Sequence, residues 1–171
     1  MLIETARLRL RHLTADDADF IVELLNEPAF IRNIGDRGVR TAEDARGYIA
    51  KGPVASYERH GFGLYAVELK ETGAPIGICG LLKRDTLEDV DIGFAFLSRY
   101  WSKGYAVEAA AAALDHGRDR VGLPRVVAIT VPQNEPSIRV LEKIGLRFER
   151  MVKVADDEPE LKLFAVDFDK S

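Results

Sequence analysis

The stretch Arg99–Leu114, RYWSKGYAVEAAAAAL, decides the fold. It sets a glycine, Gly104, at the entry to an alanine-rich helix. Inside a helix, glycine costs about 1 kcal/mol relative to alanine, so its place here asks what keeps a side chain away. A helix N-terminus leaves its first N–H groups unpaired and carries roughly half a positive charge from the aligned peptide dipoles. Glycine at the entry lets a bulky anion approach those donors without meeting a Cβ. Together these make a phosphate site from backbone alone, to which Lys103 adds a point charge. Taken by itself, a glycine at a strand-to-helix turn is equally a plain structural device.

Working outward, Ala106, Ala109, Ala110, Ala113 and Leu114 share one side of the helix, small enough to lie close against a sheet. Gly122 and Pro124 end it. Upstream, VDIGFAFL (90–97) is apolar enough for a central strand. Downstream, VVAITV (126–131) is a β-branched strand. NEPSIRVLEKIG (134–145) then reads as a helix with Asn134 as cap, Ile138, Leu141 and Ile144 inward, and Gly145 as its stop.

Nearer the start, IETARLRLRHL (3–13) alternates as one half-buried strand. Thr14 with Asp17 caps a helix through residues 18–27 that Pro28 ends, and residues 31–41 form a charged loop. Thr41 with Asp44 caps another helix, which continues past Gly52-Pro53. FGLYAVELK (62–70) and IGICGLLKR (76–84) make a hairpin, and RFERMVKV (147–154) with ELKLFAVDF (160–168) closes the chain around an acidic turn. With no repeat or linker, residues 1–171 read as a single α+β domain on a mostly antiparallel sheet.

Bulk properties exclude several classes. A net charge of −4 argues against nucleic acid, whose binders carry basic footprints. The apolar runs are too short to span a membrane, and the N-terminus lacks the pattern of a signal peptide. The lone Cys79 forbids an internal disulfide and fits a reducing, cytoplasmic setting as a buried core thiol. The three histidines have no ligand-like spacing, so no metal site is expected. Neither a P-loop nor a dinucleotide fingerprint is present.

The order DIGFAFL, SKGYAVEAAAAAL, VVAITV, NEPSIRVLEKIGL resembles the GNAT acetyltransferase superfamily, within it the ribosomal-protein N-terminal acetyltransferase-like branch. The opening ETARLRLRHLTADDAD looks like that branch too, so the likeness covers nearly the whole chain. The resemblance implies a mixed sheet in which two neighbouring strands, DIGFAFL and VVAITV, splay apart to admit acetyl-CoA. It implies a pyrophosphate resting on the turn of Ser102, Lys103, Gly104, Tyr105 and Ala106. It further implies a pantetheine arm paired with the backbone of Ala95, Phe96 and Leu97, with Asn134 and Ser137 at the arm and thioester. Two places depart from the superfamily pattern. Trp101 stands where a Gln or Arg often reaches phosphate, and Leu141 stands where many relatives carry an acidic tyrosine.

The implied reaction is attack of a neutral amine on a thioester, which needs a base, an oxyanion site and help for the thiolate. Asp91 is the best carboxylate on the right strand, though a strand-end carboxylate also commonly just faces water; Glu68 on the hairpin is next. Ser137, a turn ahead of Leu141, is the hydroxyl placed to assist the thiolate. Presenting a lysine ε-amine neutral at pH 7 costs about 4.6 kcal/mol, an α-amine only about 1–1.4. A site without an obvious strong base therefore leans toward an α-amine. The expected acceptor is a protein N-terminus or a small-molecule amine. The alternative is a non-catalytic acyl-CoA-binding regulatory domain, kept open by Leu141 and the uncertain base.

Overall fold

In the computed structural model, which describes residues 3–168, the hairpin and strand readings assemble into one eight-stranded sheet of order β1-β2-β3-β4-β5-β6-β8-β7. The strands are β1 (Ile3–Glu4), β2 (Leu8–His12), β3 (Leu64–Leu69), β4 (Pro75–Leu82), β5 (Asp91–Phe96), β6 (Arg125–Thr130), β7 (Arg147–Val152) and β8 (Leu161–Asp167). Every neighbouring pair is antiparallel except β5 with β6. Cys79 is buried in β4, and burial pushes its thiol up to about 12.

Helix α5 (Tyr105–His116) buries Ala109, Ala110, Ala113 and Leu114 in one core cluster, with Ile138 and Leu141 of α6 (Glu135–Lys143) and Ile92 and Phe96 of β5. A π-helical turn prolongs α5 to Val121, and Gly122, at φ 82°, stops it. A second cluster lies between α1 (Ala18–Leu25), α3 (Ala42–Ile49), the sheet residues Ala66 and Ile78, and Leu97 just past β5. The two clusters follow from strand alternation: Ile92 and Phe96 go to the first, Ala95 packs against the second.

Both capping boxes form, at Thr14–Asp17 and at Thr41–Asp44. Three local readings are corrected. The opening strand is two, β1 and β2, paired with each other. Pro28 ends one helix but also begins a short one, α2 (Pro28–Asn33), because proline's fixed φ suits a first helical position. The helix past Gly52-Pro53 continues as α4 (Ala55–His60) through a π-helical turn, Ala50–Val54. That wider turn accommodates Pro53, which has no N–H for an ordinary helical bond.

Candidate active site

The parallel junction of β5 with β6 is brief. Asp91 opposes Val127, whose N–H donates to the Val90 carbonyl at 3.0 Å, and no further pair follows. Beyond it the strands part. Because they are parallel, α5 and α6 both begin at the open end of the split, where they pack against each other.

Which backbone groups face the split is a matter of parity. The Leu97 N–H donates to the Ile76 carbonyl at 2.9 Å, and β4 opposes β5 with Ile78 at Ala95 and Gly77 at Phe96. In an antiparallel pair, bonded and non-bonded residues alternate, so Ala95 and the Leu97 N–H are spent on β4, and the Leu97 carbonyl accepts from the Tyr100 N–H at 2.9 Å. The N–H and C=O of Phe94 and Phe96 point the other way, into the split. Of the expected Ala95, Phe96 and Leu97, only Phe96 turns its backbone groups to the split, and Phe94, which was not expected, does so too. The reason is that sequence alone does not fix the strand's pairing partner on each side. The Phe96 carbonyl already accepts a bond from the indole N–H of Trp101 at 2.8 Å, which gives that residue a role at the mouth.

Residues Trp101, Ser102, Lys103 and Gly104 form an exposed turn into α5. Ser102 has φ 64° and Gly104 φ 84°, both left-handed, and Ser102 is the sole non-glycine of this kind among the described residues. Such strain in a non-glycine residue concentrates at functional turns. A left-handed residue followed by the right-handed start of a helix points successive N–H groups into one concavity, a shape suited to anions. No side chain caps α5, whereas Asn134 caps α6 by accepting from the Ser137 N–H at 3.4 Å. The first N–H groups of α5, those of Tyr105 and Ala106 among them, thus lack a side-chain cap.

Gly104 is bare for two local reasons that the sequence reading did not find. Its φ is one that L side chains rarely adopt, and a Cβ would lie 3.2 Å from a terminal guanidinium nitrogen of Arg7. Arg7 folds over the turn: its Nε meets Glu108 at 2.7 Å, its Nη1 donates to the Lys103 carbonyl at 3.0 Å, and its guanidinium lies 4.4 Å from the Tyr105 ring centre. Thr5 also donates to Glu108. Burial would raise the Glu108 pKa, but the bonds from Thr5 and Arg7 outweigh it and hold the carboxyl below its ordinary range. Arg7 carries no sequence signal beyond its place in an alternating strand, which is why it was missed.

Asp91 stands at the closed end of the split. It does not face water: its side chain is 1% exposed, with Arg84 Nε 3.2 Å from each carboxylate oxygen. Burial pushes its pKa up, and the Arg84 charge only partly offsets this. Glu68 lies two strands away on β3, held by Arg9 at 3.2 Å and Arg11 at 2.8 Å, and is removed from the candidates. Ser137 is half-buried on the first turn of α6, and Leu141 on the same face is in the core. Among the described residues no group of three His, Cys, Asp or Glu side chains could hold a metal, and no helix is long and apolar enough to cross a membrane.

Residues 7–147 match the family model of the Acetyltransferase (GNAT) domain. An uncharacterized N-acetyltransferase of Bacillus subtilis, YnaD, is 33% identical over 153 residues, 90% of this chain and 86% of its own. Among solved structures, a GNAT-family acetyltransferase from Bacillus anthracis superposes with a TM-score of 0.81 at 29% identity, covering 98% of both chains. RimL, a ribosomal L7/L12 alpha-N-protein acetyltransferase solved with coenzyme A, shares the fold at a TM-score of 0.84 and 16% identity, covering 99% of both chains.

Proposed function

The chain belongs to the GNAT acetyltransferase family, and from that premise we propose that it moves the acetyl group of acetyl-CoA to a primary amine by direct attack on the thioester. The observation that carries this reading is the uncapped start of α5, set at the mouth of the split between β5 and β6. A diphosphate fits there, against N–H groups with no side-chain cap and the positive end of the helix dipole. An extended amide-bearing arm fits the split, where Phe94 and the Phe96 N–H offer unspent backbone groups as an added strand would need.

The chain's own residues then divide the work. Ser102, Lys103, Gly104, Tyr105 and Ala106 hold the phosphates; Asn134 orders the start of α6 and meets the arm. Backbone N–H groups of β5 in the split stabilise the oxyanion as the N–C bond forms. Asp91 takes the amine proton. Its raised pKa makes it a stronger base than an ordinary carboxylate. As the C–S bond breaks, the thiolate, of a kind with pKa near about 8.5, needs only a hydrogen bond at neutral pH, which the Ser137 hydroxyl supplies.

The acceptor class favoured is an α-amine, a protein N-terminus or a small molecule. An amine panel with acetyl-CoA, read by thiol release and by the mass of the product, tests the reading. Amine-dependent release is expected. Coenzyme binding without transfer to any amine would replace the reading by that of an acyl-CoA-binding regulator.

A further inference from the structure

The face of the sheet opposite α5 carries a cavity of about 320 Å³ between the α3–α4 helix and the ends of β3 and β4. The π-helical turn borders it, through Lys51, Gly52 and Pro53. Helical widenings of this kind recur at functional sites. Its wall carries Lys51, Arg59 and Lys83 and no carboxylate, in a chain whose net charge is −4. The Lys83 ammonium is tied to the carbonyls of Arg84 at 2.9 Å and Leu87 at 2.7 Å. Lys51 and Arg59 have no hydrogen-bond or ion-pair partner among the described residues, while many arginines of this chain find a carboxylate.

The cavity is separated from the reaction strand by two leucines that pack on it. Leu64 and Leu82 line it, and they are the side chains that a Cβ on Gly93 would meet, at 3.8 and 3.1 Å. Gly93 is half-exposed and adjoins Phe94, whose backbone faces the split. Leu82 pairs with Asp91 in the sheet. Tyr48, a further lining residue, has its phenol pKa raised by burial and pulled back by the charges of Arg37 and Arg84, which places it within reach of the Arg84 charge. A molecule seated here lies on the face of the sheet opposite α5, against the leucines that cover Gly93 and neighbour Asp91.

We propose that this cavity is the acceptor site and that the acceptor is an anionic amine, bearing a carboxylate or phosphate beside the amine it presents. The inference rests on the acetyltransferase reading above. A cleft of one sign concentrates ligands of the other and repels its own kind. Lys51 and Arg59 at the helix hold the anionic group, while the amine points to Leu64 and Leu82, the leucines that pack on Gly93 of β5. Polyamines, which meet only like charge here, are rejected.

Transfer rates to aspartylalanine, phosphoethanolamine, alaninamide and spermidine test the proposal, in wild type and in the K51E/R59E variant. The first two separate carboxylate from phosphate as the preferred anion. The wild type is expected to favour one or both by at least tenfold in kcat/KM over alaninamide, with spermidine poorest. In K51E/R59E the KM for the anionic acceptor should rise at least tenfold while the KM for acetyl-CoA stays within about twofold, both sites lying on these surface helices away from the α5 turn. The milder K51Q/R59Q variant serves if charge reversal prevents folding. Preference for alaninamide or spermidine, or an anionic-acceptor KM unmoved by either variant, overturns the proposal. Should wild type bind CoA yet acetylate none of the four, the transferase reading fails; titration with N-acetylated aspartylalanine then decides the cavity, charge-dependent binding supporting it and no binding overturning it.

Discussion

Arg84 reaches in from the surface, 37% exposed, to place Nε 3.2 Å from both oxygens of an aspartate, Asp91, that is 1% exposed. A carboxyl raised by burial must be ionised to accept a proton, so activity should fall as pH drops through a value above the ordinary 3.8. Asp91→Asn should lower kcat on the order of a hundredfold and remove that acid limb. Stability moves with the opposite sign. The folded state binds this proton more tightly than the unfolded chain, so the group's stabilising contribution is full below 3.8 and is lost as pH rises through the raised value. At neutral pH the asparagine variant should therefore be nearly as stable as wild type, since the half-exposed Arg84 keeps access to water. Paired pH–rate profiles and denaturation curves check both parts; undiminished turnover would remove Asp91 as the base.

Gly104 should tolerate no side chain. A left-handed residue other than glycine costs roughly 1–2 kcal/mol, and a Cβ here also presses on Arg7 at 3.2 Å. Gly104→Ala is expected to lose about that much stability and, separately, at least tenfold in CoA affinity at temperatures where it is folded. Calorimetric titration below the melting transition separates the two. Normal CoA affinity in a folded Gly104→Ala protein would contradict the phosphate turn.

Arg7 should matter to the coenzyme by holding that turn. Its bonds to Glu108 and the Lys103 carbonyl tie the β1–β2 turn to the start of α5. With Arg7 itself 46% exposed, its pair with Glu108 should contribute only about 1 kcal/mol to stability. Arg7→Gln should nonetheless raise the CoA dissociation constant several-fold, and Arg7→Lys should not restore it, because an ammonium cannot engage both partners as the planar fork does. A melting-point loss with unchanged CoA affinity would reduce Arg7 to a surface staple.

Ser137→Ala should cost turnover roughly tenfold to a few hundredfold and leave CoA affinity nearly intact. Its backbone N–H, which the Asn134 side chain accepts at 3.4 Å, survives the substitution, so the α6 cap is preserved. Steady-state kinetics beside direct CoA titration reads the split. A loss confined to CoA affinity would move Ser137 from the thiolate to the arm.

Much of this was legible in the chain because it is written locally. The caps at Thr14, Thr41 and Asn134, the stop at Gly122 and the apolar strand runs depend on neighbours a few residues away, and each formed as read. What was not legible depends on distant pairing. Whether Ala95 or Phe94 faces the split is set by a single-residue choice of partner on β4, fifteen or more residues off, and either choice suits the same apolar run. Arg7 and Glu108 meet across 101 positions, and the Arg84 contact that accompanies the burial of Asp91 exists only once β4 and β5 are paired. The cationic cavity likewise gathers Lys51 and Arg59 with Lys83 from separate elements.

Amide hydrogen exchange with and without CoA tests the central claim most directly, because the split and the turn are both backbone sites. The account predicts that CoA slows exchange at Phe94 and Phe96 in β5 and at Gly104, Tyr105 and Ala106 at the start of α5. It predicts no change at Leu97, whose N–H is already bonded to Ile76 at 2.9 Å. Protection at Leu97 with none at Phe94 or Phe96, or CoA binding that leaves the α5 turn unprotected, would contradict it.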